Sequence, residues 1–269
     1  MVHLPSTTKA SIDSLASDFA ARGSDAALVV WPEGALDFPL REPTPDTNAL
    51  LRDARASGAD WLVGGPDQRT SLSARHSFNS LFLVRGGRLS GQIDKIQLMP
   101  FAETNPLRPY VPLGREELTP GTRIRTLPLR GARLGAAICS EAMDPRYVRQ
   151  VAAAGAELLA NPAKDRWFGN AAAAEMQLDI ARMRAIENRR WLARAAAGGV
   201  SAVVDPWGRV VVRADGEPTR LAASLAPSRA VTPYQRCGDL AAWLAVGVVG
   251  ASPLFPPRRP RRSPEVDRT

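Results

Sequence analysis

Cysteine and histidine are the scarcest reactive residues in this 269-residue chain, with two of each. Cys139 and Cys237 exclude a disulfide framework, though a single bridge stays open. His3 and His76 lie far from either cysteine, so the close four-ligand spacing of a structural zinc site is absent. Histidine-based triads are equally poorly supplied, because His76 sits in the polar stretch SARHSFNS. Aromatic residues are also few, at 6%. They offer no stacking platform, which argues against a nucleic-acid partner despite a net charge of +8. Much of that charge is local, with five arginines in the tail PPRRPRRSPEVDRT. The opening residues lack the charged start and apolar centre of a secretory signal. One long apolar run exists, Leu240 to Phe255, of sixteen residues. As a helix it measures about 24 Å, against about 30 Å of hydrocarbon in a bilayer. It reads either as a helix buried against the domain or as a membrane segment, and the arginines beyond it favour the second, with the tail inside.

What is present points to an α/β protein. The chain is 45% hydrophobic and long enough for one large domain. Short apolar runs alternate with helical patterns. AALVVWPE, WLVGG, ARLGAAICS and AELLANP read as buried strands. Ser11 to Ala21, Asn48 to Ser57, PRYVRQVAAAG and a long stretch from Ala171 to Ala197 read as helices. SLFLVRGGRLSGQIDKIQL and GVSAVVDPWGRVVVRAD read as hairpins, so the sheet is mixed rather than purely parallel. The spacing divides the chain into a catalytic domain at 1–235, an apolar and possibly membrane-associated helix at 236–256, and a basic disordered tail at 257–269.

Glu33, Lys95 and Cys139 each fall at the end of an apolar strand. Such ends gather at one edge of an α/β sheet, where sites form. Singly, each has a plain structural reading: a turn glutamate, a solvated lysine, a buried hydrophobic sulfur. Together they suit acyl transfer through a thioester. A thiol is a weak nucleophile until a base or cation favours its thiolate. Glu33 is placed to take the proton, and Lys95 to stabilise thiolate and oxyanion. On this reasoning a depressed thiol pKa marks a nucleophile, and one at or above about 8.5 marks an inert sulfur.

The motifs VVWPE, DKIQLMPFAE and GAAICSE resemble the Glu, Lys and Cys motifs of the nitrilase, or carbon–nitrogen hydrolase, superfamily. LMPFAETNP, KDRWFG, IARMRAIENRR and TPYQRCGD, ahead of the apolar run, are similar to its apolipoprotein N-acyltransferase branch. The resemblance implies an αββα sandwich that needs neither metal nor cofactor. It implies Glu33 as general base, Lys95 as oxyanion stabiliser and Cys139 as nucleophile. Glu103 and Glu141 match assisting acids, and Trp167, Phe168 and Ser140 match positions near the substrate. The implied reaction moves an acyl group from a phospholipid to the N-terminal amine of a lipoprotein. The implied setting is the bacterial inner membrane, with the catalytic domain periplasmic and the enzyme monomeric.

Several residues depart from that pattern. Ser140 replaces a tyrosine, Ala163-Lys164-Asp165 replaces Ser-Asn-Asp, and Ala195-Ala196-Ala197-Gly198 replaces a polar stretch. VHLP matches only the tail of a central first strand, from which the natural product is expected to extend upstream, with membrane helices ahead of this domain. Two other readings stand beside the first: a soluble, cytoplasmic amidase of the same superfamily, and a relative that keeps the fold without catalysis.

Overall fold

Two sheets stacked face to face, with helices outside each, form the frame of the site. The computed structural model describes residues 2–3, 27–71, 74–108, 110, 117–216 and 221–251. The helix expected at Ser11 to Ala21 and the basic tail at 257–269 lie outside the described residues.

The first sheet holds β1 (Val2–His3), β2 (Leu28–Val30), β3 (Asp60–Thr70), β4 (Arg75–Arg85) and β5 (Arg88–Asp94), in that spatial order. β1, β2 and β3 run parallel, while β3, β4 and β5 are antiparallel. Among the described residues β1 is the edge strand, not the central one expected. The second sheet runs in reverse order from β11 (Val210–Asp215) through β10 (Val200–Val204), β9 (Trp191–Ala197), β8 (Leu158–Lys164) and β7 (Ala132–Ala136) to β6 (Leu127–Leu129). Its centre, β7, β8 and β9, is parallel. Each sheet is therefore mixed.

The main core lies between the sheets. Leu28, Val30, Leu62, Leu81, Leu83 and Ile93 meet Leu134, Ala136, Ile138, Ala160, Ala193 and Ala195 there. The opposite face of the first sheet puts Trp31, Trp61 and Phe82 under α1 (Pro45–Ala56). Thr44 caps this helix, its Oγ accepting from the Thr47 N–H at 3.1 Å. The outer face of the second sheet packs on α2 (Pro145–Ala153) and α3 (Ala171–Asn188). Asp144 and the proline after it start α2 as expected.

The long helix expected to reach Ala197 ends at Asn188. Arg189 terminates it in a left-handed conformation, φ 49°, and the alanine-rich run that follows becomes β9. Alanine favours helix intrinsically, but here Ala193 and Ala195 are enclosed between the sheets, and β9 pairs with β8 and β10. Tertiary pairing overrides the propensity. β3 and β4 also run farther than their apolar residues indicate, pairing through the polar stretch from Pro66 to Asn79.

Near the C-terminus, a short α4 (Pro233–Cys237) precedes α5 (Leu240–Ala251). The apolar run is thus helical, but not buried: Trp243 is 65% and Val248 73% exposed. Among the described residues no helix is long and apolar enough to cross a membrane.

Candidate active site

The chain leaves β2 at Val30, and Pro32 ends further pairing, so Glu33 falls on the turn just beyond the strand. Lys95 is the residue after β5, with its backbone N–H held by Asn79 O at 2.8 Å. Cys139 lies three residues past β7 rather than at its end, opening a short 3₁₀ turn, Cys139–Met143. Its φ is 49°, a conformation costly for any residue with a β-carbon. These strand ends face a shared cavity of about 610 Å³.

Glu33, Lys95, Glu103 and Cys139 all line that cavity, as do Phe78, Met99 and Leu118. The Lys95 Nζ is 1% exposed, at 3.3 Å from Glu33 Oε1 and 2.9 Å from Glu103. Asn79 lies beneath both acids, donating to Glu33 Oε1 at 2.7 Å and to Glu103 Oε1 at 3.1 Å. Glu103 also accepts from the Met99 N–H at 2.8 Å. Burial works against the Lys95 charge, but attraction to Glu33, to the Cys139 sulfur and to Glu103 raises its pKa well above the ordinary lysine value. The lysine stays an ammonium.

The sulfur behaves in the opposite way. Burial, followed by the negative charge of Glu33, pushes the Cys139 thiol up to about 12, against the opposing pull of Lys95. The thiol donates to the Glu33 carboxylate, and Sγ accepts from the Lys164 backbone N–H. A resting thiolate, expected from the residues alone, is therefore excluded. A raised pKa does not make this sulfur inert, because the carboxylate that raises it also accepts its proton.

Glu141 lies behind the cavity, fully buried. Its carboxylate accepts from the backbone N–H groups of Ile138 at 2.8 Å, Ile96 at 2.7 Å and Gln97 at 3.1 Å. It thereby ties the cysteine turn to the segment that follows Lys95. Burial raises its pKa to about 7 in spite of those donors. Ser140 does not line the cavity, and its enclosed Oγ has no hydrogen-bond partner among the described residues. The backbone of Trp167 and Phe168 belongs to a 3₁₀ turn after β8, Asp165–Phe168; their side chains lie outside the described part of the structure.

A second polar group escaped the sequence reading. Asn161, on β8, donates to the carbonyls of Ala137 at 2.7 Å and Cys139 at 3.4 Å. Arg194 from β9 donates to Asn161 Oδ1 and, at 2.6 Å, to Asp165 Oδ2, with both charged side chains almost wholly enclosed. An arginine in the otherwise apolar LARAAA is the one available signal, since a buried charge demands a partner.

The arrangement supplies a thiol, an adjacent carboxylate and a fixed ammonium around one cavity, which suits attack on an acyl carbon. Comparison with known proteins points the same way. Residues 6–230 match the family model described as carbon–nitrogen hydrolase. The chain is 31% identical over 235 residues to the apolipoprotein N-acyltransferase of Geobacter metallireducens, covering 84% of this chain and 45% of that protein. It is 33% identical over 242 residues to the one from Bradyrhizobium diazoefficiens, covering 83% and 44%. It thus spans less than half the length of these relatives. Among solved structures, Saccharomyces cerevisiae Nit3, of the nitrilase superfamily, aligns with a TM-score of 0.66 at 19% identity, covering 96% of both chains. An amidase from Nesterenkonia sp. aligns with a TM-score of 0.63 at 22% identity, covering 91% of this chain and 95% of its own.

Proposed function

The chain belongs to the carbon–nitrogen hydrolase family, and from that premise we propose that it transfers acyl groups through a thioester on Cys139, in the manner of an apolipoprotein N-acyltransferase. The observation that carries this reading is the hydrogen bond from the Cys139 thiol to Glu33 inside a cavity that also holds the Lys95 ammonium.

Glu33 takes the thiol proton as Sγ attacks the acyl carbon, so the thiolate forms only during attack. Lys95 is held by Glu33 and Glu103 with little freedom, a preorganised charge for the developing oxyanion. Collapse breaks the bond to the leaving alcohol, which takes the proton from Glu33 and departs as a lysophospholipid. An amine then attacks the thioester and gives its proton to Glu33. As the new amide forms, Cys139 leaves and is reprotonated. Glu103 and Asn79 position the lysine and base, and Glu141 holds the cysteine turn. Phe78, Met99 and Leu118 give the cavity an apolar wall suited to an acyl chain.

Two further observations favour the lipid-linked reading. Both curated relatives above are apolipoprotein N-acyltransferases. The exposed α5, apolar on every side, is a surface that a membrane would cover. The amidase reading uses the same three residues with water as acceptor. In its favour, an amidase of similar length from Nesterenkonia sp. takes covalent addition of an acetamide moiety at its active-site cysteine.

Incubation with phospholipid vesicles, followed by mass measurement of the Cys139 peptide, decides between them. Acyl transfer gives a fatty-acyl adduct in the wild type and none in Cys139→Ala. Turnover of small amides without any lipid adduct refutes the transferase reading.

A further inference from the structure

The cavity contains a second lysine that neither the proton transfers nor the oxyanion requires. Lys164 is the last residue of β8, and its backbone N–H already serves the Cys139 sulfur. Its half-buried side chain turns back over Gly34 and lines the same cavity as Cys139. Nζ lies 4.0 Å from where a β-carbon on that glycine would sit. Gly34 therefore gives the ammonium its room at the turn that carries Glu33.

Among the described residues Lys164 forms no ion pair. The neighbouring carboxylates are engaged elsewhere: Asp165 by Arg194, and Glu33 and Glu103 by Lys95. The rest of the wall is largely apolar, so nothing in the cavity neutralises this charge. An ammonium so placed gains most from an anionic oxygen that arrives with the ligand.

We propose that Lys164 recognises an oxyanion carried by the substrate near its acyl carbon, and so selects acidic acyl donors over neutral ones. The proposal rests on the reading of Cys139 as the acyl-carrying sulfur and names the donor class for that site. The shared chemistry is a phosphodiester or a carboxylate: the first belongs to a phospholipid, the second to an acidic amide or ester. The apolar wall then takes the chain on the other side of the reacting carbon.

Alkylation tests this without any turnover. Iodoacetate and iodoacetamide differ in the charge beside the reacting carbon, and the exposed Cys237 is an internal control in the same chain. The ratio of iodoacetate to iodoacetamide rates at Cys139, normalised to Cys237, is expected to fall about tenfold in Lys164→Gln, the lower end for a charge-assisted hydrogen bond at a half-exposed group. Lys164→Arg is expected to keep the wild-type ratio. In a second arm, dihexanoyl phosphatidylglycerol or hexanoate is added as a competitor against iodoacetamide. Protection that disappears in Lys164→Gln supports the proposal, and the competitor that protects names the source of the oxyanion. An unchanged ratio overturns the proposal, as does equal slowing of both reagents, which would assign Lys164 to the sulfur instead of to ligand charge. Either result stands apart from the lipid-adduct experiment, which tests the acyl transfer itself.

Discussion

Replacing Arg194 by methionine removes one half of the buried pair behind the cysteine turn. The guanidinium and the Asp165 carboxylate are 0% and 1% exposed, at 2.6 Å. Methionine fills much of the volume but leaves a carboxylate enclosed without its cation. Breaking a buried pair from one side costs about 3–5 kcal/mol. For a domain of this size that lowers Tm by roughly 10 °C. Part of the pair is already unsatisfied, since Arg194 Nε and Asp165 Oδ1 have no partner among the described residues. The intact pair therefore contributes less than the cost of breaking it. Consequently Arg194→Met with Asp165→Asn, which removes both charges, is expected to recover about 2 kcal/mol or more relative to the sum of the two single variants. Urea denaturation of the wild type, both singles and the double measures this directly. If Arg194→Met costs under about 1 kcal/mol, or the double equals the sum of the singles, the pair does not hold this part of the fold and the reasoning fails.

Other perturbations separate proton transfer, support and surface. Glu33→Gln removes the charge that raises the Cys139 thiol, so alkylation of Cys139 by iodoacetamide at pH 9 is expected to speed up while turnover falls about 10²- to 10⁴-fold; a parallel loss of both would refute Glu33 as base. Glu141 is an acid raised from 4.5 to about 7 on folding. The folded state therefore holds its proton where the unfolded chain has lost it, and stability falls by about 3 kcal/mol as pH rises through that window. Urea midpoints of Glu141→Gln are expected to lack this downward slope, and a slope equal to that of the wild type would remove the assignment. Leu244→Glu or Val246→Glu, each at an exposed position of α5, is expected to reduce sedimentation with anionic vesicles at least tenfold; unaltered binding would rule out that helix as the contact.

The residues whose burial shows as a pattern were legible in the sequence. Continuous apolar runs gave β2, β7 and β8, and the glycine pair gave the turn of the β4–β5 hairpin. The convergence of Glu33, Lys95 and Cys139 followed from strand ends alone. Where pattern and propensity disagree with pairing, the reading failed: LARAAA looks helical because alanine is neutral to burial and favours helix, whereas its neighbours in space are strands. Asn79, Asn161 and Asp165 were invisible because a buried polar residue is defined by partners distant in the chain, and Asn161 meets Arg194 thirty-three residues away. The protonation of Cys139 was misread for a related reason. Lys95 was counted as a neighbour of the sulfur, but burial and the charge of Glu33 outweigh it.

The left-handed backbone at position 139 has a consequence for what keeps a sulfur there. Any side chain larger than hydrogen costs about 1–2 kcal/mol in that conformation, and glycine escapes most of it. Cys139→Gly is therefore expected to melt above Cys139→Ala, because the two variants share the loss of the thiol and differ mainly in strain. A chain maintained for folding alone would drift toward glycine at this turn. A cysteine that persists against that gradient is retained for its reactivity.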